Sequence, residues 1–371
     1  MKKVNTLLFC FFISFLFNLK ARAFESDAKY AIILDYNNFD IIYEKNSKEI
    51  TTPSSMTKVM TAYLIFDLLS EGKIKLTDTF KTSVRAWRQE GSRMFIEPEK
   101  NVKIEDLLKG LIVVSGNDSA IALAEGSYGT IENFVNKMNE KAKSLGLKDT
   151  NFVNPTGLFH KNHYMSVNDI AILTYNLIKD HKDYYDMFFN IKEFKYNGIN
   201  QRNRNWVISE YEGADGVKTG HTDAGGYSLI GSAEKNGQRF ITVVNGLKTE
   251  RERTNETKKM LDYAYSLYSY ISLYKSGEII DSLSVKGGDK NFINVYTKDD
   301  IVYSFRTEDK DKISVEKVYE KNLKAPIKKD EVVGYIEFRN GNKIKKFDLL
   351  SKNDVYKTNF FKRIYLKFRG V

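Results

Sequence analysis

The arrangement of hydrophobic and polar positions divides the chain into two regions. Residues 30–34 and 41–43 have the short apolar runs of strands, and residues 227–233 and 240–244 flank Asn236-Gly237 as the arms of a hairpin. From residue 278 onward only short alternating segments remain, separated by Gly, Asp and Lys turns. The pattern predicts a layered α/β (α+β) domain over residues 24–275 and a smaller all-β domain over residues 276–351.

Helices are predicted in the first region from the spacing of apolar residues and from the residues that begin a helix. One begins at Pro53-Ser54, and the others cover residues 104–114, 119–124, 169–178 and 254–273. With 42% hydrophobic residues over 371 positions, the chain has enough apolar side chains to build a core between these helices and the strands.

The first 23 residues have the pattern of an export signal. Lys2 and Lys3 precede an apolar run over residues 7–19, and Ala21-Arg22-Ala23 is a small-x-small cleavage site. The apolar run is shorter than the roughly 20 residues that a membrane-spanning helix needs, which favours a cleaved signal peptide. An uncleaved membrane anchor is the alternative. Cleavage after Ala23 would remove Cys10, the only cysteine. We therefore expect an exported protein.

Positive charge is concentrated at the two ends of the chain. Of the net charge of +10, residues 1–23 carry +4 and residues 352–371 carry +5, which leaves +1 for the body between them. A nucleic-acid-binding domain needs a basic face of its own, so this distribution argues against nucleic acid as a partner.

The last residues have the pattern of a basic amphipathic helix. Over residues 360–368, helical spacing places aromatic and aliphatic residues on one side and the cations on the other, with Leu366 as the exception. Such a helix lies in a membrane interface, so residues 352–371 are predicted to anchor the protein peripherally on the periplasmic (extracytoplasmic) face of the cytoplasmic membrane. Docking of this helix against the β-domain is the alternative.

The S-x-x-K sequence that runs from Ser55 to Lys58 is the first candidate for catalysis. Serine is followed by lysine three positions later at six places in the chain, so the spacing alone says little. Ser55 differs because it follows Pro53 at the start of a predicted helix, where free N–H groups face its hydroxyl. The same spacing puts the Lys58 amine on the same helix face, among apolar neighbours that would lower its pKa.

Two further polar motifs follow. Ser115-Gly116-Asn117 interrupts the apolar run 107–114 before the next helix, which suits an active-site turn as well as a helix N-cap. Lys218-Thr219-Gly220 occurs once, just before the predicted hairpin, and suits a substrate carboxylate; an ordinary edge-strand lysine is the alternative. The first residues of the three motifs are 60 and 103 positions apart.

Together the three motifs resemble the motif set of penicillin-binding proteins and serine β-lactamases. Similarity to the low-molecular-weight penicillin-binding proteins that act as D-alanyl-D-alanine carboxypeptidases extends over nearly the whole mature chain. The matching stretches are 53–61, 86–87, 91–95, 108–125, 151–158, 163–173 and 215–231, with weaker ones at 323–327 and 333–334. The resemblance implies a β-lactamase/transpeptidase-like catalytic domain with an antiparallel sheet flanked by helices.

The resemblance also implies catalytic roles. Ser55 would be the nucleophile that forms an acyl-enzyme, Lys58 the proton acceptor, and Ser115 the relay of a proton towards the leaving amine. Lys218 would help to keep Lys58 neutral as a second cation nearby. No cofactor takes part in this chemistry.

Further residues would bind the substrate. Asn117 would hold the substrate amide, and Lys218 and Thr219 its terminal carboxylate, while Gly220 would let a ligand approach the backbone. The backbone N–H groups of Ser55 and His221 would form the oxyanion hole.

Five other positions carry weaker signals. Asp169 and Arg204 match an acid and a base that support the site in the family, with a surface or salt-bridge role as the alternative. Arg93 stands in a loop where a smaller or apolar residue is expected. His160 and His163 have no acidic or cysteine partner, so we expect them to be solvated and expect no metal.

The implied substrate is a peptidoglycan stem peptide that ends in D-Ala-D-Ala, with β-lactam antibiotics as covalent inhibitors. A β-lactamase, a peptidoglycan DD-endopeptidase and a catalytically lapsed cell-wall scaffold are the alternatives. Residues 151–157 lack the glutamate with which the commonest lactamases deacylate, and endopeptidase relatives generally lack the second domain. The intact motif residues argue against a lapsed enzyme.

Overall fold

A five-stranded antiparallel sheet organises the first domain in the computed structural model, which describes residues 24–358. The strands are β1 (Tyr30–Asp35), β2 (Asp40–Lys45), β9 (Ala214–Thr222), β10 (Gly226–Lys235) and β11 (Gln238–Leu247). Their order in the sheet is β2-β1-β11-β10-β9, so the N-terminal hairpin β1–β2 pairs with β11, the last strand of this domain. The predicted hairpin is β10–β11, and its turn uses Asn236 and Gly237, both at positive φ.

Strand alternation buries both faces of this sheet. Ile32 faces a large cluster that contains most helices, whereas Ile33 faces a smaller cluster together with Met260 and Leu261 of the last helix. The nine helices of the described chain are α1 (Lys58–Ser70), α2 (Val84–Trp87), α3 (Ile104–Ile112), α4 (Asn117–Tyr128), α5 (Ile131–Ser144), α6 (Val167–Asp180), α7 (Lys182–Phe188), α8 (Val207–Glu210) and α9 (Glu250–Leu267).

Three small hairpins hold the connections between helices. Each is a two-stranded antiparallel sheet, and the pairs are β3 (Thr79–Lys81) with β4 (Asn101–Lys103), β5 (Thr150–Asn151) with β6 (Tyr164–Met165), and β7 (Glu193–Tyr196) with β8 (Ile199–Arg202). The β5–β6 pair closes the 152–163 loop, which reaches the start of α1.

The second domain is all-β, as the sequence predicts. Its strands are β12 (Tyr268–Tyr274), β13 (Ile279–Ser284), β14 (Phe292–Tyr296), β15 (Ile301–Arg306), β16 (Ile313–Tyr319), β17 (Val332–Asn340) and β18 (Lys343–Ser351). They form a β12-β15 pair and a β13-β14-β18-β17-β16 sheet. The two domains are in contact through hydrogen bonds such as Gln238 Nε2 to Ser304 Oγ (2.7 Å) and an ion pair between Lys343 and Asp40 (2.9 Å).

The structure differs from the sequence prediction at both ends of the second domain. Helix α9 ends at Leu267 rather than near residue 273, and β12 lies before the predicted boundary at 276. The spacing of apolar residues over 268–274 predicts a continued helix, but these residues pair with β15 as a strand. The strand pairing outweighs the local helical pattern. Residues 352–358, predicted to belong to the anchor, instead form β-bridges from Val355 to Ile327 and from Lys357 to Gly288.

The predicted signal peptide and the amphipathic part of the predicted anchor, residues 1–23 and 359–371, lie outside the described residues. Among the helices of residues 24–358, none is long and apolar enough to cross a membrane.

Candidate active site

All three motifs meet at one cleft of about 260 Å³ between the sheet edge and the helical part of the first domain. Ser55, Ser115, Asn117, Thr219, Gly220 and His221 line it, as the sequence predicts. The remaining lining residues are Gly91, Ser92, Gly157, Leu158, Arg204, Thr222, Tyr227, Glu250 and Arg253. Lys58 and Lys218 are buried beneath this surface.

Ser55 lies in a 3₁₀ turn, Ser54–Thr57, that leads directly into α1. Two glycines allow neighbouring segments to come close to this turn. A Cβ on Gly157 would lie 1.8 Å from the Ser54 carbonyl oxygen, and a Cβ on Gly220 would lie 3.1 Å from the Ser54 Cβ. The Ser54–Thr57 turn is therefore held between β9 and the 152–163 loop.

Lys58 connects the first motif to the second. Its Nζ lies 3.0 Å from Ser55 Oγ, 2.8 Å from Asn117 Oδ1 and 2.6 Å from the Thr156 carbonyl oxygen. Burial lowers the pKa of Lys58 to about 7; the Asp118 carboxylate raises it and the Arg204 guanidinium lowers it. A substantial fraction of Lys58 is therefore neutral near pH 7 and able to accept a proton from Ser55.

The Ser115-Gly116-Asn117 turn is fixed by its neighbours. Ser115 has a positive φ of 61°, which suits a turn between two buried helices at a functional site. Asn117 donates its backbone N–H to Ser92 O and its side-chain Nδ2 to Glu90 O, each at 2.7 Å. Because its Oδ1 accepts from Lys58, Asn117 orients the lysine. Its Nδ2 has two hydrogens and donates one to Glu90 O, which leaves the other available to a ligand.

Lys218 lies in β9, buried below the cleft, and its Nζ donates to the Thr219 carbonyl oxygen (3.1 Å). Burial and the charges of Lys58, Arg204 and Arg253 hold the pKa of Lys218 well below its usual range. The sequence predicts that Lys218 keeps Lys58 neutral. In the structure the charge of Lys58 lowers the pKa of Lys218, and the Arg204 guanidinium lowers the pKa of both lysines.

Arg253 is the functional candidate that the sequence analysis misses. It comes from α9, is 2% exposed, and donates from Nη1 to Gly220 O at 3.1 Å, while its buried Nε has no partner within the described chain. The guanidinium lies over the Tyr227 ring, which stacks on His221. A sequence signal for the burial of Arg253 exists. Arg253 lies seven positions before Met260, and this spacing puts both residues on the same, buried side of the helix.

Of the two predicted support residues, only Arg204 reaches the cleft. Its Nη1 donates to Ser92 Oγ at 2.8 Å, and the side chain remains exposed. Asp169 does not line the cleft. Its Oδ2 accepts from Asp149 N (2.7 Å) and Thr150 Oγ1 (2.8 Å), so it holds the strand that precedes the 152–163 loop.

His163 is buried, and the expectation that it is solvated is wrong. Its Nδ1 accepts from Val153 N (3.1 Å), so the Nε2 proton is directed to Thr57 Oγ1 at 2.9 Å. Burial lowers its pKa to about 4, which keeps the ring neutral. His163 thus connects the loop that holds Lys58 to the Ser54–Thr57 turn. His160 is exposed, and within residues 24–358 no three His, Cys, Asp or Glu side chains are grouped as metal ligands.

Comparison with known proteins agrees with this geometry. The family described as D-alanyl-D-alanine carboxypeptidase matches residues 18–249, and the C-terminal domain of penicillin-binding protein 5 matches residues 268–357. The chain belongs to the D-alanyl-D-alanine carboxypeptidase family. Membership in this family accounts for the order of the three motifs and for the second domain. The match to the C-terminal domain of penicillin-binding protein 5 and the first strand of the second domain, β12, both begin at residue 268.

Relatives within the family cover most of the chain. It is 38% identical to the D-alanyl-D-alanine carboxypeptidase DacF of Bacillus subtilis, over 90% of this chain and 87% of the relative. Identity to DacC of Escherichia coli is 36%, over 91% and 87% of the two chains.

Solved structures of penicillin-binding proteins have the same fold. Penicillin-binding protein 5 of Haemophilus influenzae superposes with a TM-score of 0.71 at 34% identity, covering 90% of this chain and 98% of that one. Penicillin-binding protein D2 of Listeria monocytogenes, solved in an ampicillin-bound form, superposes with a TM-score of 0.59 at 26% identity, over 64% and 97% of the two chains.

Proposed function

We propose that this protein is a serine-type D-Ala-D-Ala carboxypeptidase that removes the terminal D-alanine from peptidoglycan stem peptides. One observation carries the proposal: a buried lysine with a pKa near 7 lies 3.0 Å from the hydroxyl of Ser55, at the base of a cleft lined by all three motifs. The names of the relatives support the substrate class.

In the proposed acylation, Ser55 Oγ attacks the carbonyl carbon between the two D-alanines and its proton passes to Lys58. The backbone N–H groups of Ser55 and His221 would stabilise the oxyanion. As the C–N bond breaks, Ser115 relays a proton to the amine and free D-alanine leaves. Water then hydrolyses the Ser55 ester and restores the hydroxyl.

The carboxylate of the departing D-alanine is proposed to bind at the β9 end of the cleft. Thr219 supplies a hydroxyl there, and Arg253 supplies a buried guanidinium. Arg253 is permanently charged and donates to the Gly220 carbonyl oxygen, so its guanidinium supplies positive charge for a carboxylate at this end of the cleft.

The experiment that tests this proposal is incubation with a labelled penicillin followed by intact-mass analysis. We expect one stable acyl adduct on the wild-type protein and none on Ser55→Ala. Ser314→Ala is the matched control, because Ser314 also has a lysine three positions later but lies in β16, outside the cleft. An unlabelled wild-type protein would refute the proposal, and rapid turnover of the penicillin would reassign the enzyme to the β-lactamases.

We also propose that the enzyme is exported and held at the extracytoplasmic face of the cytoplasmic membrane. The signal pattern in residues 1–23 and the aromatic and basic residues of 359–371 support this location. Residues 352–358 belong to the β-domain, so the proposed anchor begins after Thr358.

A further inference from the structure

One end of the β-domain exposes two aromatic rings where the described chain finishes. Phe292 is 62% exposed and Tyr356 is 64% exposed, and they are the two most exposed large hydrophobic side chains of this domain within the described residues. We call this end the tip and define it as residues 286–292, 323–325 and 354–358.

The tip is held together by backbone hydrogen bonds. Lys286 forms a bridge with Lys324, and Gly288 forms one with Lys357. Asp289 N donates to Tyr356 O at 2.9 Å, and Thr358 N donates to Gly287 O at 3.0 Å. The exposed rings therefore project from ordered backbone, directly beside the point from which residues 359–371 continue.

Exposed lysines share the tip with the two rings. Lys286, Lys290, Lys324 and Lys357 are all exposed at the tip. The tip contains two acidic residues; Asp289 Oδ1 accepts from Tyr356 N (2.9 Å), and Asp354 Oδ1 accepts from Lys329 N (2.9 Å). Residues 359–371 add four cations and no acidic residue. The end of the domain is thus both aromatic and basic.

We propose that the tip is itself a membrane-binding surface, which places Phe292 and Tyr356 in the interface of an anionic lipid bilayer beside residues 359–371. This inference rests on the membrane location proposed above. Exposed aromatic rings among lysines match the two components of such an interface, an apolar boundary and negatively charged headgroups. Contact at the tip and through the following segment would fix the direction in which the domain stands on the membrane, since two contacts restrict rotation that one permits.

The direct test is fluorescence of the full-length protein carrying Phe292→Trp, mixed with phosphatidylglycerol/phosphatidylcholine vesicles with and without brominated acyl chains. We expect the emission of the new indole to shift to shorter wavelength on binding and to be quenched by the brominated lipid. The matched control is Ile344→Trp, because Ile344 is also exposed but lies at the opposite end of β18, next to the first domain. Trp87 and Trp206 contribute the same background to both variants.

A second test uses charge. Neutralising Lys286 and Lys357 with glutamine should weaken partitioning onto the anionic vesicles by roughly fivefold per lysine. Lys310→Gln, at an exposed position of the 3₁₀ turn outside the tip, should leave partitioning unchanged. Equal quenching of the two tryptophan variants, or equal partitioning of the lysine variants, would overturn the proposal.

Other occupants of the tip give different results. If residues 359–371 cover it, the Phe292→Trp emission will already be shifted without vesicles and will not respond to brominated lipid. If a second copy covers it, the emission will change with protein concentration alone. Either result overturns the proposal. None of these measurements needs enzymatic activity, so Ser55→Ala should bind vesicles as the wild type does, and failure of the proposed function would be seen separately in the penicillin assay.

Discussion

The charge of a single residue, Arg204, is expected to set the pH at which the nucleophile is activated. Lys58 accepts a proton only when it is neutral, so the acylation rate should rise with pH around its pKa of about 7. Arg204 lowers that pKa. Replacing it with glutamine should raise the pKa and move the rising limb to higher pH, with a loss of about twofold in rate below pH 7, the effect of a unit charge several ångströms away.

The measurement for Arg204→Gln is the second-order rate constant of acylation by a β-lactam from pH 5.5 to 8.5. Arg202→Gln is the matched control, because Arg202 is exposed on β8 two positions away and does not line the cleft. If the rising part of the profile of acylation rate against pH stays in place or moves to lower pH in Arg204→Gln, the role given to Arg204 is contradicted.

His163 should make the stability of the fold depend on pH below 6.5. Its pKa is about 4 in the folded chain and about 6.5 when unfolded, so the unfolded chain binds the extra proton between these values. The free energy of unfolding should therefore fall as pH falls from 6.5 to 4, by up to about 3 kcal/mol from this residue.

Urea unfolding at pH 7 and pH 4 checks the His163 prediction. His163→Gln should be less stable at pH 7, by about 1–3 kcal/mol for the hydrogen bonds that it loses, and the difference from wild type should shrink or reverse at pH 4. His160→Gln serves as the control because His160 is exposed. A difference that is the same at both pH values would show that His163 does not titrate as the structure indicates.

At the scale of elements, the 152–163 loop can form the cleft only with glycine at position 157. Gly157 has a φ of +80°, and a Cβ there would lie 1.8 Å from the Ser54 carbonyl oxygen. Gly157→Ala should lower the free energy of unfolding by about 3 kcal/mol or more and should abolish acylation, because the Ser54–Thr57 turn must move. Unfolding curves and penicillin labelling measure the two effects.

Gly146→Ala separates backbone strain from this close approach. Gly146 has a similar φ of +73°, and nothing lies within 4 Å of the Cβ that it would gain. We expect Gly146→Ala to lower the free energy of unfolding by about 1 kcal/mol and to leave acylation intact. Equal effects of the two substitutions would show that strain, and not the contact with Ser54, decides the behaviour of Gly157.

Elements also show where local patterns are sufficient. The β10–β11 hairpin follows from Asn236-Gly237 and the alternation around it, because both signals act within a few residues. The end of α9 could not be obtained in this way. Residues 268–274 contain apolar positions that fit a helix as well as a strand, and only their pairing with β15, some thirty residues later, decides between the two.

At the scale of the whole molecule, the cleft and the proposed membrane attachment should be separable. A chain that stops after Thr358 keeps Val355 and Lys357, which bridge to other parts of the β-domain, and keeps every residue that lines the cleft. It should move from the membrane fraction to the soluble fraction while its acylation rate stays within about twofold of wild type, since no charge near the cleft is removed. Fractionation with penicillin labelling measures both.

Stopping the chain after Ser351 is the informative comparison. It also removes Val355, which is 1% exposed in the β-domain core, so we expect loss of stability in addition to release from the membrane. A chain ending at Thr358 that remains in the membrane fraction would place the main attachment elsewhere, in the tip that this chain retains or in an uncleaved signal.

The sequence by itself determined the positions and order of the three motifs, the β10–β11 hairpin and the all-β character of the second domain. These depend on residues close together in the chain: a proline before a helix, a polar turn after an apolar run, a two-residue turn and short alternating segments. Only the tertiary structure decided that Thr156 and Asn117 hold Lys58, that Arg253 reaches Gly220, and that His163 is buried. Those contacts join segments 33 to 106 positions apart, and the burial that shifts the pKa of Lys58 exists only when they pack together.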